Sequence, residues 1–218
     1  MGGERPGCRE ALTTQRGLIN AVIFDMGNVL MRFDGMSFSR AHTSCEEDAR
    51  LVFKALFAST EWSLLDAGVI DEETMERVAL ARLPERLHEP LRQTFANWDT
   101  LQEPIGETCE IARALHEEGH GVYLLSNAGL RFERIRGSLP VWDVLDGWIV
   151  SAYERLMKPD PRIFRLLCER YGLDPRRCLF VDDNADNVEG ARVAGLRGHV
   201  FRGTPGLRRE LARLDMDV

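Results

Sequence analysis

The stretch Leu18-Ile19-Asn20-Ala21-Val22-Ile23-Phe24-Asp25-Met26-Gly27-Asn28-Val29-Leu30 decides how the chain is read. It opens as an apolar, β-branched run, the pattern of a strand buried on both faces of a sheet. The run ends in a carboxylate, Asp25, and then in Gly27-Asn28, a pair that reads as a loop with unusual backbone angles. An acid is thus placed where a buried strand gives way to a loop. In open α/β sheets that carboxyl edge is where ligands bind. Taken alone, Asp25 is as well explained as a residue that turns the chain.

Two more strands of this kind follow. Val122 to Leu125 ends at Ser126-Asn127, and Cys178 to Val181 ends at Asp182-Asp183-Asn184. Shorter runs at Trp148 to Val150 and His199 to Phe201 complete a set of five. Helical patterns alternate with them: Pro104 to Glu118 stopped by Gly119, Pro161 to Tyr171 stopped by Gly172, a segment to Ala194 closed by Gly195, and Leu207 to Leu214. Such alternation predicts an α/β fold, a parallel sheet flanked by helices on both faces. From Phe33 to Trp98 there is no strand pattern. Leu51, Phe53, Ala55, Leu56 and Phe57 form an apolar helical face that continues through Trp62, Leu64 and Leu65, and Asp71 is placed to cap the next helix. The expected organisation is a leader at 1–17, a core at 18–32 and 102–218, and an inserted helical segment at 33–101.

Composition narrows the function. A formal charge of −7 argues against a nucleic acid partner. No apolar run is long enough to span a membrane. Residues 1–17 lack the apolar centre of a signal peptide, and Pro6 stands where N-myristoylation wants Ser or Thr. Cys8, Cys45, Cys109, Cys168 and Cys178 show no CxxC spacing, which fits a reduced, cytoplasmic setting without structural zinc. Oligomeric state is left open.

On parallel neighbouring strands, Asp25, Ser126-Asn127 and Asp182-Asp183 would converge. Three carboxylates at close range need a cation or protons between them. Mg²⁺ suits such a site, taking hard oxygen ligands and completing its shell with water or phosphate. The competing reading makes Asp182-Asp183 a turn and cap for the following helix. Ser126 and Asn127 can serve an anionic oxygen, and Lys158, held before Pro159, can neutralise one.

Four motifs in this order carry a resemblance. Phe24-Asp25-Met26-Gly27-Asn28-Val29-Leu30, Leu125-Ser126-Asn127, Lys158-Pro159-Asp160-Pro161 and Phe180-Val181-Asp182-Asp183-Asn184-Ala185-Asp186-Asn187 resemble the motifs of the haloacid dehalogenase-like hydrolase superfamily. Within it the chain looks most similar to the bacterial α-D-glucose-1-phosphate phosphatase group. The resemblance implies a Rossmann-like core, a parallel sheet flanked by helices with the segment at 33–101 as an inserted α-helical cap domain, and hydrolysis of a small phosphorylated metabolite, a phosphate monoester such as a sugar 1-phosphate, through an aspartyl phosphate. Asp25 and Lys158 would then be catalytic. Ser126, Asn127 and Lys158 would hold the phosphoryl group. Asp25, the Gly27 carbonyl, Asp182 and Asp183 would hold Mg²⁺, with Asp183 direct and Asp182 close or through water, and Asn187 would orient the aspartate pair. One departure stands out: phosphatases of this superfamily carry a second Asp two residues past the nucleophile, where this chain has Gly27. Either the enzyme works without that acid, or the chain binds phosphorylated ligands without turnover, or another acid substitutes, Asp34 or a cap residue. A 2-haloacid dehalogenase is disfavoured by Asp182-Asp183. Trp62, Asp66 and Arg32 are the residues named near the hinge and first cap helices, with packing or surface roles preferred for them.

Overall fold

The computed structural model describes residues 19–216 and 218; the expected leader at 1–17 and Cys8 lie outside them. Along the chain, β1 (Ala21–Phe24) leads into α1 (Gly35–Arg40), α2 (Glu46–Ala55), α3 (Thr60–Asp66), α4 (Glu72–Ala81) and α5 (His88–Asn97). Then come α6 (Gly106–Glu117), β2 (Gly121–Ser126), α7 (Phe132–Ile135), β3 (Gly147–Val150), α8 (Ser151–Glu154) and α9 (Pro161–Tyr171). The chain closes with β4 (Cys178–Asp182), α10 (Ala185–Val193), β5 (Arg197–Val200) and α11 (Thr204–Arg213).

The five strands form one parallel sheet in the order β3-β2-β1-β4-β5. The chain runs outward from β1 through β2 to β3, then returns to the other side of β1 for β4. That reversal puts a crevice at the carboxyl end of β1. Register is tight there: Phe24 pairs with Leu124 on one side and Val181 on the other. Asp25, Ser126 and Asp182 therefore leave the sheet at nearly one level.

Alternation along β1 fills two cores. Val22 and Phe24 join Val122, Leu124, Leu179 and Val181 under α6 and α11, through Ile111, Leu115, Leu207 and Leu211. Ala21 and Ile23 join Tyr123, Leu125 and Phe180 under α9 and α10, through Ile163, Phe164, Leu167 and Val188. Strands covered on both faces have no polar side, hence their unbroken apolar sequence. β5 is a half-buried edge. Among the described residues, no helix is long and apolar enough to cross a membrane.

The region between β1 and α6 is helical, as expected, but its details differ. The buried face of α2 is Ala49, Val52 and Ala55, at helical spacing, while Leu51 and Phe53 are only half-buried. The helix also does not continue to Leu65. It stops at Leu56, and Ser59 caps a new helix by accepting from the Trp62 N–H at 3.2 Å. Asp71 caps α4 as expected, accepting from the Thr74 N–H at 2.8 Å. α11 begins at Thr204 rather than Leu207, because Pro205 fits the first turn of a helix, where its missing N–H costs nothing. The insertion packs around Phe33, Phe38, Phe57, Trp62 and Trp98, whose ring centroids lie 4.7–6.4 Å apart.

At one point the two layers beside the crevice touch backbone to backbone. A Cβ on Gly190 of α10 would lie 2.1 Å from the Pro159 carbonyl oxygen. Gly190→Ala should therefore lower stability by about 1–3 kcal/mol, the usual cost of overpacking, read as a drop in denaturation midpoint. Gly106→Ala, in the first turn of α6 with nothing within 4 Å of its Cβ, should leave the midpoint unchanged or raise it.

Candidate active site

Lys158 occupies the centre of the crevice. Its Nζ lies 2.7 Å from Asp25 Oδ1 and 2.7 Å from Asp182 Oδ2, with 3% of the residue exposed. The order of the sequence motifs is thus matched by contact. β1 delivers Asp25, β4 delivers Asp182, and the loop before α9 delivers the cation between them. Burial opposes the charge on Lys158, but the two carboxylates outweigh it and hold the ammonium above its usual range. Burial pushes Asp25 up to about 6; Lys158 opposes that rise and Asp182 adds to it.

Asp182 and Asp183 divide their work. Asp182 is fully buried, and its oxygens accept from Lys158 Nζ, the Asn184 N–H at 2.8 Å and Asn187 Nδ2 at 3.1 and 3.2 Å. It does not line the cleft, whereas half-buried Asp183 does. The turn reading of this pair holds for Asp182, which accepts from the N–H two residues on. The cap of α10, however, is Asn184, accepting from the Asp186 N–H at 2.9 Å. Asn187 bonds Asp182, one of the aspartate pair it was expected to orient. Asp183 accepts from Asn28 Nδ2 at 3.3 Å, and its pKa is raised by burial and by Asp182.

Ser126 is buried and lines the cleft. The Asn127 side chain has a different job from the one expected. Its Oδ1 accepts from the Lys158 N–H at 2.9 Å and its Nδ2 donates to the Lys158 carbonyl at 3.0 Å. The amide is spent on fixing Lys158, because both of its hydrogen-bonding ends match one peptide segment. Gly27 lines the cleft as well, but the left-handed residue in this loop is Asn28, with φ 55°.

Above these groups lies a cavity of about 200 Å³. Its far wall carries Phe33, Trp62, Leu65 and Trp98 from the insertion and Phe132 and Ile135 from α7. Of the residues named near the hinge, Trp62 and Asp66 reach this cavity, and Arg32 is exposed and does not. Asp34 does not line it either. It caps α1, accepting from the Met36 and Ser37 N–H groups and the Ser37 hydroxyl, and these bonds hold its pKa below the usual value. Asp66 is held up to about 8, chiefly by burial. Arg131 was not singled out from the sequence. It grips Glu72 with two bonds of 2.7 Å and donates to the Phe95 carbonyl, tying α4 and α5 to the start of α7. Its one sequence signal is an arginine beside an apolar pair, Phe132 and Ile135, too common to single it out.

Asp25, Asp182 and Asp183 each offer an oxygen within 4.8 Å of the others. Three carboxylates against the single ammonium of Lys158 leave two negative charges. That excess, built from hard oxygens, fits a divalent cation such as Mg²⁺.

Known proteins share the fold and the family. Residues 19–195 match the haloacid dehalogenase-like hydrolases, and the chain belongs to that family. It is 30% identical over 195 residues to Phosphatase MT3486 of Mycobacterium tuberculosis, covering 84% of this chain and 87% of that one. It is 26% identical over 192 residues to the sesquiterpene phosphatase astK of Aspergillus oryzae, covering 82% and 87%. The fold is shared with the HAD family enzyme bt-2542 of Bacteroides thetaiotaomicron, at a TM-score of 0.67 and 19% identity over 88% of this chain and 98% of that one. The same enzyme has been solved with magnesium and inorganic phosphate, at a TM-score of 0.60 and 20% identity over 83% and 93%. The family makes the chain a hydrolase, and both of these curated relatives are named as phosphatases.

The raised carboxyls predict a pH dependence of stability. A group that holds its proton more tightly when folded stabilises the fold most below its unfolded pKa, and loses that contribution as pH rises through the folded one. For Asp66 the loss falls between about pH 4 and about pH 8. Asp66→Asn keeps the shape and removes the titration. In thermal melts without metal, its stability relative to wild type should rise from pH 5 to pH 9.

Proposed function

We propose that the protein is a Mg²⁺-dependent phosphatase in which Asp25 attacks the phosphorus of a small phosphate monoester and forms an aspartyl phosphate. The observation that carries this reading is the acid trio with its single ammonium, set across a cleft from Ser126. Asp25, Asp183 and the Gly27 carbonyl would hold the ion, with Asp182 behind them orienting Lys158. When bound, Mg²⁺ supplies charge neutralisation for the phosphoryl oxygens.

The chain's own groups do the rest. Lys158 and Asp182 fix the Asp25 carboxylate, so that its free oxygen faces the cleft as nucleophile. The Ser126 hydroxyl and the backbone at Asn127 donate to the phosphoryl oxygens. Lys158 offsets charge that develops during transfer, where positioning and electrostatics provide most of the acceleration. The helical insertion acts as a cap at 33–101 that shields the reaction from water.

The leaving group enters the cavity above. A sugar phosphate, in particular a sugar 1-phosphate, is supported by the mixed lining of that wall, where polar Gln102 stands beside aromatic rings. The rings of Phe33 and Trp62 offer a face for the C–H side of a sugar. The anomeric oxygen is also the better leaving group, which favours 1-phosphates.

Phosphate release from a panel of sugar 1- and 6-phosphates tests this reading. Release should require Mg²⁺, cease on chelation and vanish in Asp25→Asn, with 1-phosphates cleaved faster than 6-phosphates. Activity that survives chelation would instead point to dehalogenase-type chemistry. If wild type and Asp25→Asn are equally inert, a binding role replaces catalysis. A reversed order of sugar phosphates removes the sugar 1-phosphate assignment alone.

A further inference from the structure

Breaking a P–O bond to an alcohol leaves an alkoxide that must be protonated, and losing the general acid for such a step typically costs about 10²–10⁴-fold. The titratable side chains that line the cleft are Asp25, Asp66, Glu72, Arg131, Lys158 and Asp183. Asp25 and Lys158 are bound to each other. Asp183 belongs to the acid trio. Glu72 is held by both arms of Arg131. Among the described residues, Asp66 is the member of this set that stands outside the acid trio and has no ion-pair partner at contact distance.

We propose that Asp66, the last residue of α3, is the general acid and base of the hydrolysis, supplying from the insertion the carboxyl that the β1 loop lacks at Gly27. The assignment rests on the phosphatase reading and completes it. Asp66 is fixed to the core although it belongs to the insertion. Its carbonyl accepts from Ser151 Oγ at 2.5 Å. Two residues on, Gly68 takes φ 66° with its Cα so near the core that a Cβ would lie 2.4 Å from the Ala152 carbonyl oxygen. The Asp66 carboxyl lies beside Gly129, in the loop that follows Ser126; a Cβ there would be 3.9 Å from its Oδ1. It is close enough to Asp25 and Lys158 to feel both charges, the first raising and the second lowering its pKa. Burial keeps this carboxyl protonated at neutral pH, the state a general acid needs before the bond breaks.

The balance is simple. An Asp25 oxygen bonds to phosphorus as the P–O bond to the alcohol breaks, and the Asp66 proton passes to the departing oxygen. Asp66, now a carboxylate, takes a proton from the water that attacks the aspartyl phosphate. The P–O bond to Asp25 breaks, phosphate leaves, and both aspartates return to their starting forms.

First-turnover release of the alcohol, measured with Mg²⁺ for an aryl and an alkyl phosphate, tests the assignment. A nitrophenolate departs without help; an alkoxide does not. In Asp66→Asn the aryl rate should fall less than tenfold and the alkyl rate about 10²–10⁴-fold. A second variant separates loss of the proton from loss of shape. The Gly27 Cβ position meets nothing within 4 Å, so Gly27→Asp added to Asp66→Asn should recover at least tenfold on the alkyl phosphate. Equal losses on both substrates, or none on either, overturn the assignment of Asp66 and leave the phosphatase reading standing. A wild-type protein inert on both, with Mg²⁺ present, overturns the phosphatase reading itself.

Discussion

The site depends on one ammonium shared by two buried carboxylates. Lys158, Asp25 and Asp182 are nearly or wholly removed from water. Such burial costs several kcal/mol per ion and is repaid only by close pairing and full hydrogen bonding. The surrounding residues can be understood as that repayment. Asn127 clamps the Lys158 backbone from both ends. Asn184 and Asn187 fill the remaining acceptor sites of Asp182. Gly190 lets α10 approach the Lys158-Pro159 segment. The bonds from Asn184 and Asn187 touch the buried charge itself, whereas Asn127 and Gly190 act on the backbone that carries Lys158. The arrangement still carries excess negative charge, and that excess prepares the place for a cation.

This explains why the carboxyl edge was legible in the sequence. A strand buried on both faces must be apolar throughout, so Asp25, Ser126 and Asp182 are conspicuous where each run stops. Parallel neighbours then put the three stops together, and the register across β1 does so within one residue. What each polar group does was less legible. Asn127 and Asp183 are equally polar on the page. One is turned inward to a peptide segment and the other toward the cleft, a difference set by χ angles and by a loop 31 residues away. Asp34 and Asp66 show the same limit. Both are acids on the insertion side of the nucleophile. The first meets the free N–H groups of α1 and is spent there, whereas the second, at a helix end, meets the Gly129 N–H and is still raised by burial.

The insertion was the harder part to read for a related reason. Its apolar centre gathers Phe33, Phe57, Trp62 and Trp98 from four separate segments, and their edge-to-face contacts leave no period in the sequence. Part of this cluster is also the cavity wall, so packing residues and substrate-facing residues are the same residues. Helical spacing separates a buried face from an exposed one, as in α2. It does not separate a buried face from one that looks into a cleft.

Gly27 is where fold and chemistry meet most directly. Its backbone does not require glycine: the left-handed angle in the loop is at Asn28, whose side chain bridges the Phe33 N–H and Asp183. Nor does packing require it, since a Cβ would meet nothing. The missing side chain is therefore a matter of chemistry and access, not of folding. An acid borne by the β1 loop would be present whatever the insertion did. An acid borne by α3 is in place only while α3 is seated on α8 through Ser151 and Gly68. On the proposed mechanism, protonation of the leaving group then depends on the same contact that seats α3 on the core.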